Sequence, residues 1–218
     1  MNEEQREPTV PQAPPSAEEI ENIDEKAPKK KSSPLYDAYS LLHDLVYILA
    51  AITLIFVFFV RLVSVNGDSM LPTLRDGDFL ALQSNVIMGD LKYGDIIVAR
   101  KESFRDGEPI VKRVIATEGQ HVQIQQESDG FCTVYVDGVK LEETYIREAM
   151  RPRNFVECTV ADNCVFVMGD NRNDSMDSRS TEIGQLQMEE ILGKVLFIAF
   201  PGTNDDKTRS FSRIGAVS

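Results

Sequence analysis

The alternation of apolar and polar positions divides the chain into three stretches. Residues 1–43 are rich in Glu, Pro, Lys and Ser with few aromatics, too little apolar surface to offset the entropy of ordering, and are expected to form a disordered tail. Residues 44–65 follow, and over 45–65 the chain is almost uniformly apolar. As a helix rising about 1.5 Å per residue, that run covers about 30 Å, the hydrocarbon thickness of a bilayer. Arg61 is its one charge, about a turn from the C-terminal end, where a long side chain can snorkel to the headgroups. A cleavable leader would carry a shorter apolar core nearer the N-terminus followed by small residues. A buried core helix would carry a polar stripe, and this run has only Thr53 in its centre. One membrane-spanning helix over 44–65 is expected.

Beyond residue 65 the pattern changes to short apolar runs at 79–82, 96–99, 110–111, 114–115, 134–136, 165–167 and 195–198, separated by Gly and Asp turns. Such spacing predicts a mainly β domain over 66–218, built as a barrel or as folded sheets, with one helical segment over 182–192. Asp137-Gly138 between two apolar runs marks a hairpin turn. Orientation follows from Lys29, Lys30 and Lys31 before the span, against no basic residue between Arg61 and Arg75 after it. The tail is expected to be cytoplasmic and the domain 66–218 extracytoplasmic.

Composition narrows the chemistry. A formal net charge of -12 disfavours binding to a phosphate backbone, so nucleic acid is not an expected partner. Only His43 and His121 are present, too few for a His-rich metal site, and the base of any nucleophilic mechanism must be sought elsewhere. The three cysteines contain no CxxC pair. Cys158 and Cys164 flank a turn-like stretch and could bridge a hairpin outside the cytoplasm, or could be two small apolar strand residues. The sequence leaves both open.

Three blocks carry candidate chemistry. The first is Asn66-Gly67-Asp68-Ser69-Met70-Leu71-Pro72-Thr73-Leu74. Gly67 permits an unusual backbone angle before Ser69 and Pro72 fixes the chain after it, so the segment is built to present one side chain. The second is Pro109-Ile110-Val111-Lys112-Arg113-Val114-Ile115. On a strand, Ile110 and Val114 share a face with Lys112, and an amine withdrawn from water among apolar neighbours becomes neutral near pH 7 and able to accept a serine proton. Arg113 cannot serve, because a guanidinium stays protonated. The third runs from Gly169-Asp170-Asn171-Arg172 to Asp177-Ser178-Arg179. Its polar density predicts a self-bonded loop after a buried strand. As an EF-hand loop from Asp170 it fails at the third and sixth places, Arg172 and Ser175, so no metal is expected. The Asn173-Asp174-Ser175 sequon is short enough to recur by chance.

In this order and with the anchor before them, the blocks Ser69-Met70-Leu71-Pro72-Thr73-Leu74, Gly94-Asp95-Ile96-Ile97-Val98, Lys112-Arg113-Val114-Ile115 and Gly169 to Arg179 closely resemble the type I signal peptidase family, in its single-anchor, Gram-positive-like branch. The resemblance implies Ser69 as nucleophile and Lys112 as general base, with Met70 beside the serine and no cofactor. It makes Ser175 the hydroxyl that orients the lysine amine, pairs Asp177 with Arg179, and places Gly169, Asp170, Asn171 and Arg172 as supports. It implies secretory preproteins with small residues before the cut as substrates, a signal-peptidase-like β fold, membrane lipid as surroundings, and proximity to the secretion translocon. Substrate is expected to lie extended along Ile110 and Val111, where Pro109 suits a strand edge. Two departures stand out: Gly67 replaces a hydroxyl that some members place two residues before the nucleophile, and Ser180-Thr181-Glu182-Ile183-Gly184 lacks the aromatic many relatives carry before the glycine.

If the span ends at Val65, Ser69 lies within roughly 15 Å of the membrane surface. Two other readings meet obstacles. A self-cleaving Ser/Lys regulator would need a DNA-binding domain where the acidic tail and anchor stand. A non-catalytic membrane-tethered β module has no use for a desolvated lysine facing a serine.

Overall fold

The structure, a computed structural model, describes residues 33–153, 155–203 and 208–217. It opens with a helix, α1, Pro34–Phe59, whose start is written locally. Ser33 caps it by accepting the Tyr36 N–H on Oγ at 3.3 Å, Pro34 supplies a first helical residue that needs no N–H, and Asp37 sits in the electropositive first turn. The expected tail is therefore helical from Pro34 onward, and residues 1–32 lie outside the described residues. Pro34–Leu54 is long and apolar enough to cross a membrane. Contact grouping divides the chain at Leu49, within this helix.

The apolar run does not stay helical to Val65. The helix stops at Phe59 and strand β1, Val60–Ser64, begins at once, paired antiparallel with β2, Phe79–Ser84, from Val60↔Gln83 to Ser64↔Phe79. A run rich in valine satisfies a strand as well as a lipid-facing helix, and the partner strand decides. Arg61 accordingly lies on a strand, not on the last turn of a helix. The stretch from Phe59 to Ser69 has an extended reach of about 35 Å, so the 15 Å limit no longer holds.

The remaining strands are β3 Ile96–Arg100, β4 Pro109–Thr117, β5 His121–Gln126, β6 Cys132–Val136, β7 Val139–Lys140, β8 Glu157–Thr159, β9 Cys164–Met168, β10 Leu186–Gln187, β11 Ile191–Phe200 and β12 Gly215–Ala216. The larger sheet runs β1-β2-β11-β3-β4-β9-β10 with β12 on β11, and the smaller β7-β6-β5-β8. All described pairings are antiparallel, and none joins β1 to β10, so the larger sheet is open and the barrel expectation gives way to folded sheets. Asp137 (φ 53°) and Gly138 (φ 76°) make the predicted β6–β7 turn with both central residues left-handed. The helix expected over 182–192 is a single 3₁₀ turn, Met188–Glu190, between β10 and β11. Ile183, Leu186 and Ile191 recur at i, i+3 and i+8, the spacing of a helix face, yet they reach one buried cluster from an extended chain, with Leu186 paired to Val165 and Ile191 to Ala99. Cys132, Cys158 and Cys164 are free thiols packed on one cluster of the smaller sheet.

Strand β4 positions the site. Its first half pairs with β3, from Arg100↔Pro109 to Ile96↔Arg113, whereas pairing with β9 begins only at Arg113↔Met168. Among the described residues, the other edge of 109–112 is therefore left open.

Candidate active site

Ser69 rides a short turn tied down on both sides. Leu71 N–H donates to the Asp68 carbonyl (3.2 Å) and Leu74 N–H to that of Met70 (2.9 Å). Met70 and Leu74, 1% and 0% exposed, root the turn in the core. Gly67 reaches it at φ 90°, and its N–H donates to Asp76 Oδ1 at 2.8 Å. Asn171 then stitches this turn to the third block: its N–H donates to the Ser69 carbonyl and its Nδ2 to that of Asp68, both at 3.0 Å.

Lys112, 4% exposed, stands opposite Ile97 and shares its face of β4 with Ile110 and Val114, all three in one apolar cluster. Its Nζ lies 2.7 Å from Ser69 Oγ. Burial brings the amine down to about 8; Arg105 and Arg179 push the same way, against the anions of Asp177 and Asp170.

The polar block behind the pair is satisfied almost throughout. Asp170 accepts from Arg113 Nε and Nη2, both at 2.8 Å, and from Thr73 Oγ1 at 2.6 Å, linking the lysine strand to the serine turn. Arg113 also lies 4.0 Å from the Tyr145 ring centroid and donates to the Gly94 carbonyl. Arg172 bonds Glu143 and the Gly169 carbonyl; burial alone would lower its pKa, but the Glu143 carboxylate raises it. Asp177 and Arg179 pair as expected, at 2.7 Å (Nε to Oδ1) and 2.8 Å (Nη2 to Oδ2), and Gly169 N–H adds a third bond at 2.9 Å. Burial would raise Asp177, yet these donors hold it below the usual carboxylate range. Ser175 lines the same cleft; its buried Oγ is not hydrogen-bonded to Lys112, and its hydroxyl lies close enough to Asp177 to help hold that carboxylate's pKa down. Gly169 is required where it stands, because a Cβ there would strike the Ser69 carbonyl and the Ser175 side chain.

A cleft of about 630 Å³ holds Ser69, Lys112, Ser175, Ile110 and Val111 together, with Arg105 and Glu108 on its wall. Met70, Asp170 and Asn171 instead support from behind. Sequence reasoning missed Thr73, Glu143, Tyr145 and the Asp78–Arg213 pair. Only Arg113 had left a signal, a cation among apolar residues.

A serine hydroxyl facing a buried amine of lowered pKa, beside an open strand edge, fits a serine-type hydrolase acting on extended peptide. Residues 39–200 match the model of the family described as signal peptidase, peptidase S26. The chain is 38% identical over 159 residues to "Probable signal peptidase I-1" of Synechocystis sp., covering 70% of this chain and 77% of that one. It is 35% identical over 147 residues to "Signal peptidase I T" of Bacillus subtilis (strain 168), covering 63% and 72%. A crystal structure of a signal peptidase I from Enterococcus faecalis V583 aligns with TM-score 0.40 and 28% identity, over 49% of this chain and 97% of that one. The chain belongs to the signal peptidase family, peptidase S26, and is a serine-type endopeptidase. Its N-terminal apolar helix fits a membrane anchor.

Proposed function

We propose that this protein removes signal peptides from secretory precursors with Ser69 as nucleophile and Lys112 as general base. The 2.7 Å approach of a buried lysine amine to a serine hydroxyl carries the reading. Neutral Lys112 accepts the Ser69 proton as Oγ attacks the scissile carbonyl carbon. The tetrahedral intermediate collapses, the C–N bond breaks, and the lysine proton passes to the departing amine. Lys112 then takes a proton from water, which attacks the ester and releases the signal peptide's carboxylate and Ser69. No cofactor enters. The Ser69 N–H is the first donor for the oxyanion, with Gly67 offering no hydroxyl. Ser175 Oγ, buried in the same cleft and not bonded to Lys112, is the hydroxyl available to orient the Lys112 amine once substrate excludes water.

The precursor adds as a strand along the open edge at Ile110 and Val111. Catalysis takes place outside the cytoplasmic membrane, near the point where precursors leave the secretion translocon, with the tail inside as Lys29 to Lys31 favour. Lipid contact is supported by an exposed apolar face on β1, β2 and β11. There Leu62, Ala81 and Phe197 form one row and Ser64, Phe79 and Phe200 the next, with Leu62 and the three Phe side chains open to the surroundings.

The test is cleavage of a preprotein by the purified full chain in lipid vesicles, beside Ser69→Ala and Lys112→Ala. Both variants are expected to lose cleavage, and normal cutting by either one refutes the pair. A membrane-impermeant protease added to intact cells should digest 66–218 and spare the tail.

A further inference from the structure

The β3–β4 connection is closed by the Arg100↔Pro109 pair and reaches over the cleft. It is rigid. Phe104, 6% exposed, is rooted in the cluster that contains Ile110 and Val114. Phe104 N–H donates to the Lys101 carbonyl, Gly107 N–H to that of Phe104, both at 3.0 Å, and Lys101 Nζ reaches the Ile183 carbonyl at 2.6 Å. Within it the backbone passes through three successive left-handed residues, Arg105 (φ 48°), Asp106 (54°) and Gly107 (77°). Glycine adopts this freely, but two side-chain-bearing residues do so against steric resistance, a strain that persists where a functional site over-determines it.

What the strained turn presents is Arg105, exposed on the cleft wall with its guanidinium 5.2 Å from the Phe104 ring centroid. The cleft's deeper arginines are neutralised, Arg172 by Glu143 and Arg179 by Asp177. Arg105 makes no ion pair among the described residues, with Asp106 and Glu108 included. The rim's other exposed charges are Asp68, Glu108, Arg153 and Asp174. Along β4, Pro109 precedes Lys112 by three residues, about 10 Å at 3.3 Å per residue. A precursor strand bound on that edge thus passes Arg105 about three to five residues from its scissile bond.

Resting on the function proposed above, we infer that Arg105 is a specificity-determining residue: it favours precursors bearing Asp or Glu three to five residues from the cut and disfavours Lys or Arg there. An unpaired guanidinium at a cleft wall gains a partner from a substrate carboxylate and repels a substrate cation.

The experiment uses the full chain in vesicles and a neutral parent peptide with Asp or Lys placed singly at every position within six residues of the cut, on both sides. The readout is the Asp-to-Lys ratio of kcat/KM. Wild type should show a ratio of about fivefold or more at one or two positions three to five residues away, the size of one partly screened ion pair, declining in high salt. Arg105→Ala should bring it toward one and Arg105→Glu should invert it. No charge preference in wild type, an unchanged ratio in both variants, or inversion at that position by Arg153→Glu instead would overturn the inference. Failure to cut the neutral parent at all would count against the proposed function itself, and the two failures are thereby separable.

Discussion

Lys112 Nζ and Ser69 Oγ stand 2.7 Å apart although 43 positions separate the residues in the chain. The amine that must take the proton is one that burial has brought down to about 8. A base works only when unprotonated, so kcat/KM should climb about tenfold per pH unit on the acid side and level off above about pH 8. A flat profile or an acid optimum would remove Lys112 from the role. Stability should report the same group. An unfolded chain holds the lysine proton up to about 10.5 and the folded chain only to about 8, so between these values the unfolded state binds more protons and stability rises with pH. Lys112→Met should therefore raise Tm below about pH 8, and the gain should fade toward pH 10.5.

Asp177 offers a second measurement on the same amine. It is 1% exposed and holds Arg179 through two bonds, so Asp177→Asn leaves a buried guanidinium without its anion, at a cost of about 3–5 kcal/mol. Its negative charge also raises Lys112. Removing that charge should move the acid limb of the pH profile downward in whatever folded enzyme remains. An upward move would contradict the electrostatic account.

The parts legible in sequence were those whose chemistry is local. A lysine between β-branched neighbours on a strand reads as buried because period two puts Ile110 and Val114 on its face, and the Asp137-Gly138 turn reads from two residues. What the sequence concealed depended on a distant partner. Val60–Ser64 continues the apolar run of the helix before it, interrupted only by Arg61 and Ser64, and only pairing with β2 makes it a strand. Asp170 and Arg113 lie 57 positions apart, and nothing near either one announces the other. The misread segment 182–192 failed for the same reason: Ile183, Leu186 and Ile191 carry the spacing of a helix face, and only pairing with Val165 and Ala99 makes the chain extended there.

Two glycines near Ser69 should respond to alanine in different ways. At Gly169 a new Cβ meets the backbone carbonyl of Ser69, which cannot yield without moving the proposed nucleophile, so Gly169→Ala should abolish cleavage. At Gly67 a Cβ meets nothing within 4 Å, and only the positive φ of 90° opposes it. Gly67→Ala should cost about 1 kcal/mol in stability and leave most of the cleavage rate. Equal losses in the two variants, measured by unfolding midpoint and kcat, would show that space at Gly169 is not the deciding factor.

Arg213 lies beyond the family-matched residues 39–200, yet it reaches the Ser69 turn. It grips the fully buried Asp78 at 2.9 and 2.7 Å and donates to the Thr73 carbonyl at 3.2 Å. Asp78 also accepts from the N–H groups of Arg75 and Gly202, while Thr73 Oγ1 bonds Asp170. The far end of the Ser69 turn is thus clamped from two directions. Arg213→Ala strands a buried carboxylate and should cost about 3–5 kcal/mol. Because Thr73 then loses one of its two restraints, kcat should fall more than KM changes, as expected when a group's placement in the transition state is disturbed. Asp78→Asn removes the other half of the same pair, so the double variant should lose less stability than the two single losses combined, by about 1 kcal/mol or more. Strict additivity in that cycle would mean that the two residues do not work as one clamp.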